Sequence, residues 1–196
     1  MTTELEAVNK ILQSVGTRPV TAISASSPAD VLLAQQLFSD VTRERQLRGY
    51  HWNRIYTETG DPNGSNEIVL DSTWLRVDTR GTDAHRDVVK IDTKLFDRDE
   101  DTYEFSGKLD VTVLVERSLA EIPEDFIEWI IAEAARKFQA IQQGDARRDQ
   151  QLRADEIAAK RIAMAGELRN VDANILNGYG GARNAVYRRR LGRKLY

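Results

Sequence analysis

The spacing of apolar residues changes twice along this chain, and that constrains the fold more than any single motif. From Leu5 to Gly49, and again after Pro123, apolar side chains recur every third or fourth position. Between these stretches they alternate or run β-branched. A helical period cannot serve as a strand pattern, so the middle of the chain is a β region set between helices. The expected class is α+β, a bundle of about four helices with an inserted small antiparallel β region.

Local signals bound the elements. Thr3 and Glu6 form a Thr-x-x-Glu capping box; Leu5, Val8, Ile11, Leu12 and Val15 follow and Gly16 stops them, which predicts a helix over 4–15. Ser27-Pro28-Ala29-Asp30 reads as a cap serine, a first-turn proline and an acid, opening a second helix through Val31, Leu33, Ala34, Leu37, Phe38 and Val41 to Gly49. Asn66–Leu70, Trp74–Thr79, Asp87–Asp92 and Lys108–Glu116 read as strands, with turn signals at 61–64, 80–83 and 106–107. Four to six antiparallel strands are expected there.

Beyond Pro123, residues Phe126, Ile127, Ile130, Ala134, Phe138 and Ile141 form one stripe, while Trp129 and Ile131 sit off it. Such a helix has two apolar sides to bury. The segment from about 145 to 171 is the opposite case, rich in Arg, Asp and Ala, with Leu152, Ile157, Ile162 and Leu168 sparse along it. It is expected to pack along one narrow seam, otherwise solvated or set against another subunit. The organisation that results is a discontinuous helical domain over 1–49 and 120–172, an inserted β-rich domain over 50–119, and a glycine-hinged basic tail over 173–196.

Composition removes many activities. The chain has 196 residues, 41% hydrophobic and 30% charged, enough for a real core. It has no cysteine, which excludes disulfides, thiol nucleophiles and sulfur-liganded zinc. No window approaches the ~18 apolar residues of a membrane span, and the opening MTTELEAVNK is polar and acidic. A soluble chain without a secretory leader or membrane partner is expected.

The candidate chemistry is thin. His51 and His85 lack a nearby nucleophile motif or a second ligand at metal spacing, and His51-Trp52 reads as a packing pair at the entry to a strand. Asp97-Arg-Asp99-Glu-Asp101 begins like a calcium loop, but Thr102 stands where the loop needs glycine and Lys108 where it needs glutamate. A solvated hairpin loop is the better reading. Acids such as Asp97, Asp99, Glu100 and Glu104 leave one enzymatic alternative, a glycan-hydrolysing pair in the β-rich insertion. Gly178-Tyr-Gly180-Gly181 lacks the lysine and hydroxyl of a phosphate loop and reads as a joint. No catalytic, cofactor-binding or metal residues are assigned.

The tail is a separate electrostatic object. Residues 182–196 carry Arg183, Arg188, Arg189, Arg190, Arg193 and Lys194 without one acid, although the whole chain has a net charge of −3. Tyr179, Tyr187 and Tyr196 interleave with them. That pairing suits either a nucleic acid or an acidic protein surface, and composition favours neither.

Four stretches, in order over about residues 5–141, resemble the tail tubular protein A family, the adaptor ring of short-tailed bacteriophages. They are Leu5-Glu-Ala-Val-Asn9 through Ile11, Leu12, Gly16, Pro19 and Val20; Gln46-Leu-Arg48-Gly49-Tyr50-His51-Trp52-Asn53; Lys94-Leu95-Phe96-Asp97; and Ile122-Pro123-Glu124-x-Phe126-x-x-Trp129-Ile130 through Ala134, Ala135 and Phe138. The third departs slightly, with phenylalanine where the family often has tyrosine. None of these residues is catalytic in the family. The resemblance implies a virion tail protein assembled in the host bacterial cytoplasm, as a ring of about twelve copies. It would join the portal protein to the tail nozzle, tail tubular protein B, with phage DNA passing through the lumen and tail fibres attached nearby. On that reading Phe126, Trp129, Ile130 and Phe138 serve a subunit interface or the core, with Trp129 turned to the β insertion or a second subunit. Arg183, Tyr187, Arg188, Arg189, Arg190, Arg193, Lys194 and Tyr196 would contact portal or DNA.

Overall fold

A computed structural model describes residues 1–178 of the chain, with side chains through Asn170 except that of Thr57. The tail residues Arg183, Tyr187, Arg188, Arg189, Arg190, Arg193, Lys194 and Tyr196 lie outside the described residues. The fold is α+β. Helices α1 (Glu4–Ser14) and α2 (Ala29–Gln46) precede strands β1 (Arg54–Gly60), β2 (Trp74–Thr79), β3 (Val88–Ile91), β4 (Lys94–Asp97) and β5 (Leu109–Val115). Helices α3 (Glu124–Gln142) and α4 (Ala146–Gly178) follow.

The Thr3 capping box forms as its spacing demands: the Thr3 hydroxyl accepts from the Glu6 N–H, and the Glu6 carboxylate accepts from the Thr3 N–H. Helix α2 begins differently from its sequence signal. Pro28 occupies the cap without a side-chain bond, and the Ser27 hydroxyl accepts from the Ser24 N–H instead. A proline's fixed φ already sets the helical entry, so the serine is free to close the preceding turn.

Strands β1, β5 and β2 form one antiparallel sheet in that order, and β3 with β4 forms a separate hairpin. Two sequence expectations shift here. Asn66–Leu70 contributes isolated bridges, Pro62 to Ile68 and Val69 to Lys94, rather than a full strand. β1, whose sequence RIYTETG has Ile55 as its one aliphatic residue, shows no apolar alternation; of its described side chains only Ile55 packs on the β cluster, and a register shift follows it.

Two apolar clusters result. One joins α1, α2, α3 and Ala163 of α4; the other joins Ile68, Val77, Leu95, Phe105, Val111 and Val113 inside the β region. Cross-chain bonds give the helix directions. Thr2 meets Glu124 and Val15 meets Gln143, so α1 runs parallel to α3; Arg45 meets Glu133 and Asp30 meets Gln142, so α2 runs antiparallel. The apolar stripe of α3 outruns these partners: Ile141, expected in the core, is 61% exposed because Gln142 and Gln143 already reach the start of α2 and the end of α1.

Helix α4 has 33 residues, about 50 Å of helix. It continues past the expected end near 171, through Asn177 and Gly178. Its seam also differs from the expected Leu152, Ile157, Ile162 and Leu168, of which only Leu152 is buried. The seam is Leu152, Glu156, Ala159, Ala163 and Gly166, at alternating intervals of four and three. Small residues bring α4 close to α3. A Cβ at Gly166 would stand 2.7 Å from the Asp125 carboxylate.

Candidate assembly site

The side chains with the most specific geometry surround α3 and the joint between helices and strands. Phe126, Trp129, Ile130 and Phe138 are all buried within the single chain. Tyr50, Trp52, Phe126 and Trp129 form one aromatic cluster, with Tyr50 and Phe126 centroids 4.6 Å apart and Trp52 edge-on to Phe126 at 5.5 Å. Burial pushes the Tyr50 phenol up. Trp129 is enclosed by its own chain rather than turned to the β region or a second subunit. The Arg45 guanidinium lies 4.7 Å from the ring centroid and the Lys160 ammonium 5.7 Å.

Charged pairs lock the helices on both sides of α3. Arg45 forks onto the nearly buried Glu133 carboxylate with donations of 2.7 and 2.6 Å, and Lys137 lies 3.3 Å from the same group. On the other side Arg136 donates to Asp149 at 2.8 Å and to Glu156 at 3.1 Å, tying α3 to the first turns of α4. At the far end the His51 N–H donates to Glu167 at 2.9 Å, its ring meets the second carboxylate oxygen, and Asn170 reaches its Nε2. His51 is therefore a strut to α4, not the packing half of a His-Trp pair. Packing falls to Trp52.

The chain leaves the helices through residues 47–53 and returns through 116–118, and two amides clamp both crossings. The Gln46 amide donates to the Arg117 carbonyl at 3.1 Å and accepts from the Arg117 N–H at 2.6 Å. The fully buried Asn53 donates to the Gln46 carbonyl at 2.8 Å and accepts from the Tyr50 N–H at 2.8 Å. Gly49, at φ +75°, makes the sharp turn between them, where a Cβ would stand 2.7 Å from Leu114. Such a joint fixes the β region against the helices. Asn9 does the same in α1, donating to the Val20 carbonyl at 2.9 Å and accepting from its N–H at 2.8 Å.

These clamps occupy the motifs that carry the family resemblance. Asn9 and Val20 fall in the first stretch; Gln46 and Asn53 begin and end the second. Asp97 of the third is buried, accepting from the Asp99 and Glu100 N–H groups, with Arg86 3.4 Å away. It anchors the turn that the sequence presents as a solvated loop. Asp99, Glu100 and Glu104, the other members of the glycan-cleaving alternative, are exposed. Among the described residues no three acids or histidines converge as a metal-binding group.

Among the described residues, the most specific polar contacts hold helices and strands to one another. A family model described as tail tubular protein matches residues 5–173. The chain belongs to the tail tubular protein family and is a structural component of a phage tail. No curated protein matches it.

Proposed function

We propose that this tail protein is the head-to-tail adaptor of a short-tailed phage, a ring of about twelve copies between the portal protein and the tail nozzle. Phage DNA passes through its lumen, tail fibres attach nearby, and the ring assembles in the host bacterial cytoplasm. The observation that carries the reading is the family match over residues 5–173, which spans helices, β region and most of α4 together. The work is geometric rather than catalytic. An adaptor must hold two layers at a fixed angle, and the Gln46–Asn53–Arg117 clamp supplies that stiffness. The long α4 braces the ring.

In the same reading, Arg183, Arg188, Arg189, Arg190, Arg193 and Lys194 dock on the portal, meeting its acidic residues or lumen DNA. Co-sedimentation of the full chain with purified portal, imaged by negative stain, is the test. Closed rings capping the portal are expected. Deleting residues 182–196 should abolish portal binding at physiological salt, whereas undiminished binding would contradict the docking role.

A further inference from the structure

Helix α4 has two apolar faces, and among the described residues only one is covered. Opposite its seam lies an arc of Ile157, Ala158, Ile162, Ala165 and Leu168, with Ile162 and Leu168 each 64% exposed. An apolar arc wider than about 100° is the mark of a helix face made to be buried. Arg153 and Arg161 continue the stripe through Ile157 and Leu168 at helical spacing, and neither is in an ion pair among the described residues. The acids of α4 that pair, Asp149, Glu156 and Glu167, turn inward to Arg136 and His51. Along the stripe through Ile157 and Leu168 the outer face is thus apolar and basic, with the exposed Asp155 at its opposite edge.

The β3–β4 hairpin carries the reciprocal surface. Leu95 and Asp97 point inward, so the opposite side presents Val89, Ile91, Phe96 and Lys94, the last neutralised by Glu67 at 2.8 Å. Tyr103 packs tilted against Phe96, centroids 4.8 Å apart, and Val69, 56% exposed, bridges alongside Lys94. Around this patch Asp92, Asp99, Glu100 and Glu104 are exposed and in no ion pair among the described residues. This face is apolar and acidic.

We infer that the outer face of α4 docks on the outer β3–β4 face of a second copy of this chain. Charge complementarity selects this occupant: pairing α4 with α4 would oppose Arg153 and Arg161 to their own copies, and pairing two hairpins would oppose acids. A contact between two different patches repeats head to tail, and closes into a ring when the rotation allows. The inference rests on the ring reading and names the surfaces that make the ring.

The test is a charge exchange in the full-length chain. Arg153→Glu with Arg161→Glu reverses one face, and Glu100→Lys with Glu104→Lys reverses the other; all four side chains are exposed and make no internal bonds among the described residues. Each double variant alone should need roughly 100-fold higher concentration to assemble than the parent, with unchanged melting when both are dissociated. An equimolar mixture of the two should recover rings, because each reversed face then finds its complement on the neighbour. Assembly by either variant alone at parental concentrations, or a mixture that stays dissociated, overturns this interface and leaves the ring intact. A parent chain that makes no rings, with or without portal, overturns the ring reading itself, and this inference with it.

Discussion

Helices α3 and α4 are neighbours on one antiparallel seam, yet they obey opposite rules. Of the 19 residues of α3, ten are buried, including Trp129 and Phe138, and its charges are drawn into forks with α2 and α4. Over the 33 residues of α4 only Leu152 and Ala163 are buried in the described part, and Ile157, Ile162 and Leu168 face outward. The first helix specifies the monomer. The second is attached to it by Leu152, small residues and salt bridges, and leaves Ile157, Ile162 and Leu168 exposed.

Truncation inside α3 sharpens the contrast most. Phe138→Ala removes a fully buried ring among three helices and should cost about 3–5 kcal/mol in urea unfolding. Glu133→Ala comes next. It leaves the Arg45 guanidinium against Trp129 without its carboxylate, and a loss of roughly 3 kcal/mol is expected from the same measurement. Asn53→Ala strips two buried bonds from the joint and should cost about 2 kcal/mol, with faster hydrogen exchange at Gln46 and Arg117.

Smaller effects follow from the helix entrances. The Thr3 N–H and hydroxyl hold Glu6 below the ordinary carboxylate value of 4.5, Ser118 does so for Glu121, and the Thr2 hydroxyl does so for Glu124. A carboxylate with a depressed folded pKa adds stability that is complete above its unfolded pKa and lost as pH falls through the folded one. Melting temperature should therefore hold from neutral pH to about 5, then fall below about 4.5, and Glu121→Gln should flatten part of that fall. Smallest of all, Ile162→Ser on α4 should change monomer stability by no more than about 0.5 kcal/mol.

The same two helices show how much of the fold can be read from sequence. The stripe and off-stripe residues of α3 announce a helix buried on two sides, since large apolar side chains leave a strong period. In α4 the seam is made of Ala159, Ala163 and Gly166, whose contribution is close approach rather than hydrophobicity, so the eye goes to Ile157, Ile162 and Leu168, which point the other way. The α+β class and the β region's place between helices follow from the change of period, while β1 and the bridged segment at 66–70 depend on pairing partners far along the chain. The clamp residues stood inside the quoted motifs, but Gln46, Asn53 and Asn9 acquire a role only when both backbone crossings are in view.

If α3 builds the subunit and the outer face of α4 builds the assembly, the two can be damaged separately. Sedimentation velocity and thermal melting of one variant, Ile162→Asp with Leu168→Asp in the full-length chain, test both halves at once. Loss of the ring is expected, with parental melting at concentrations where the parent is also dissociated. A ring that survives, or a subunit that melts well below the dissociated parent, would contradict this division of roles.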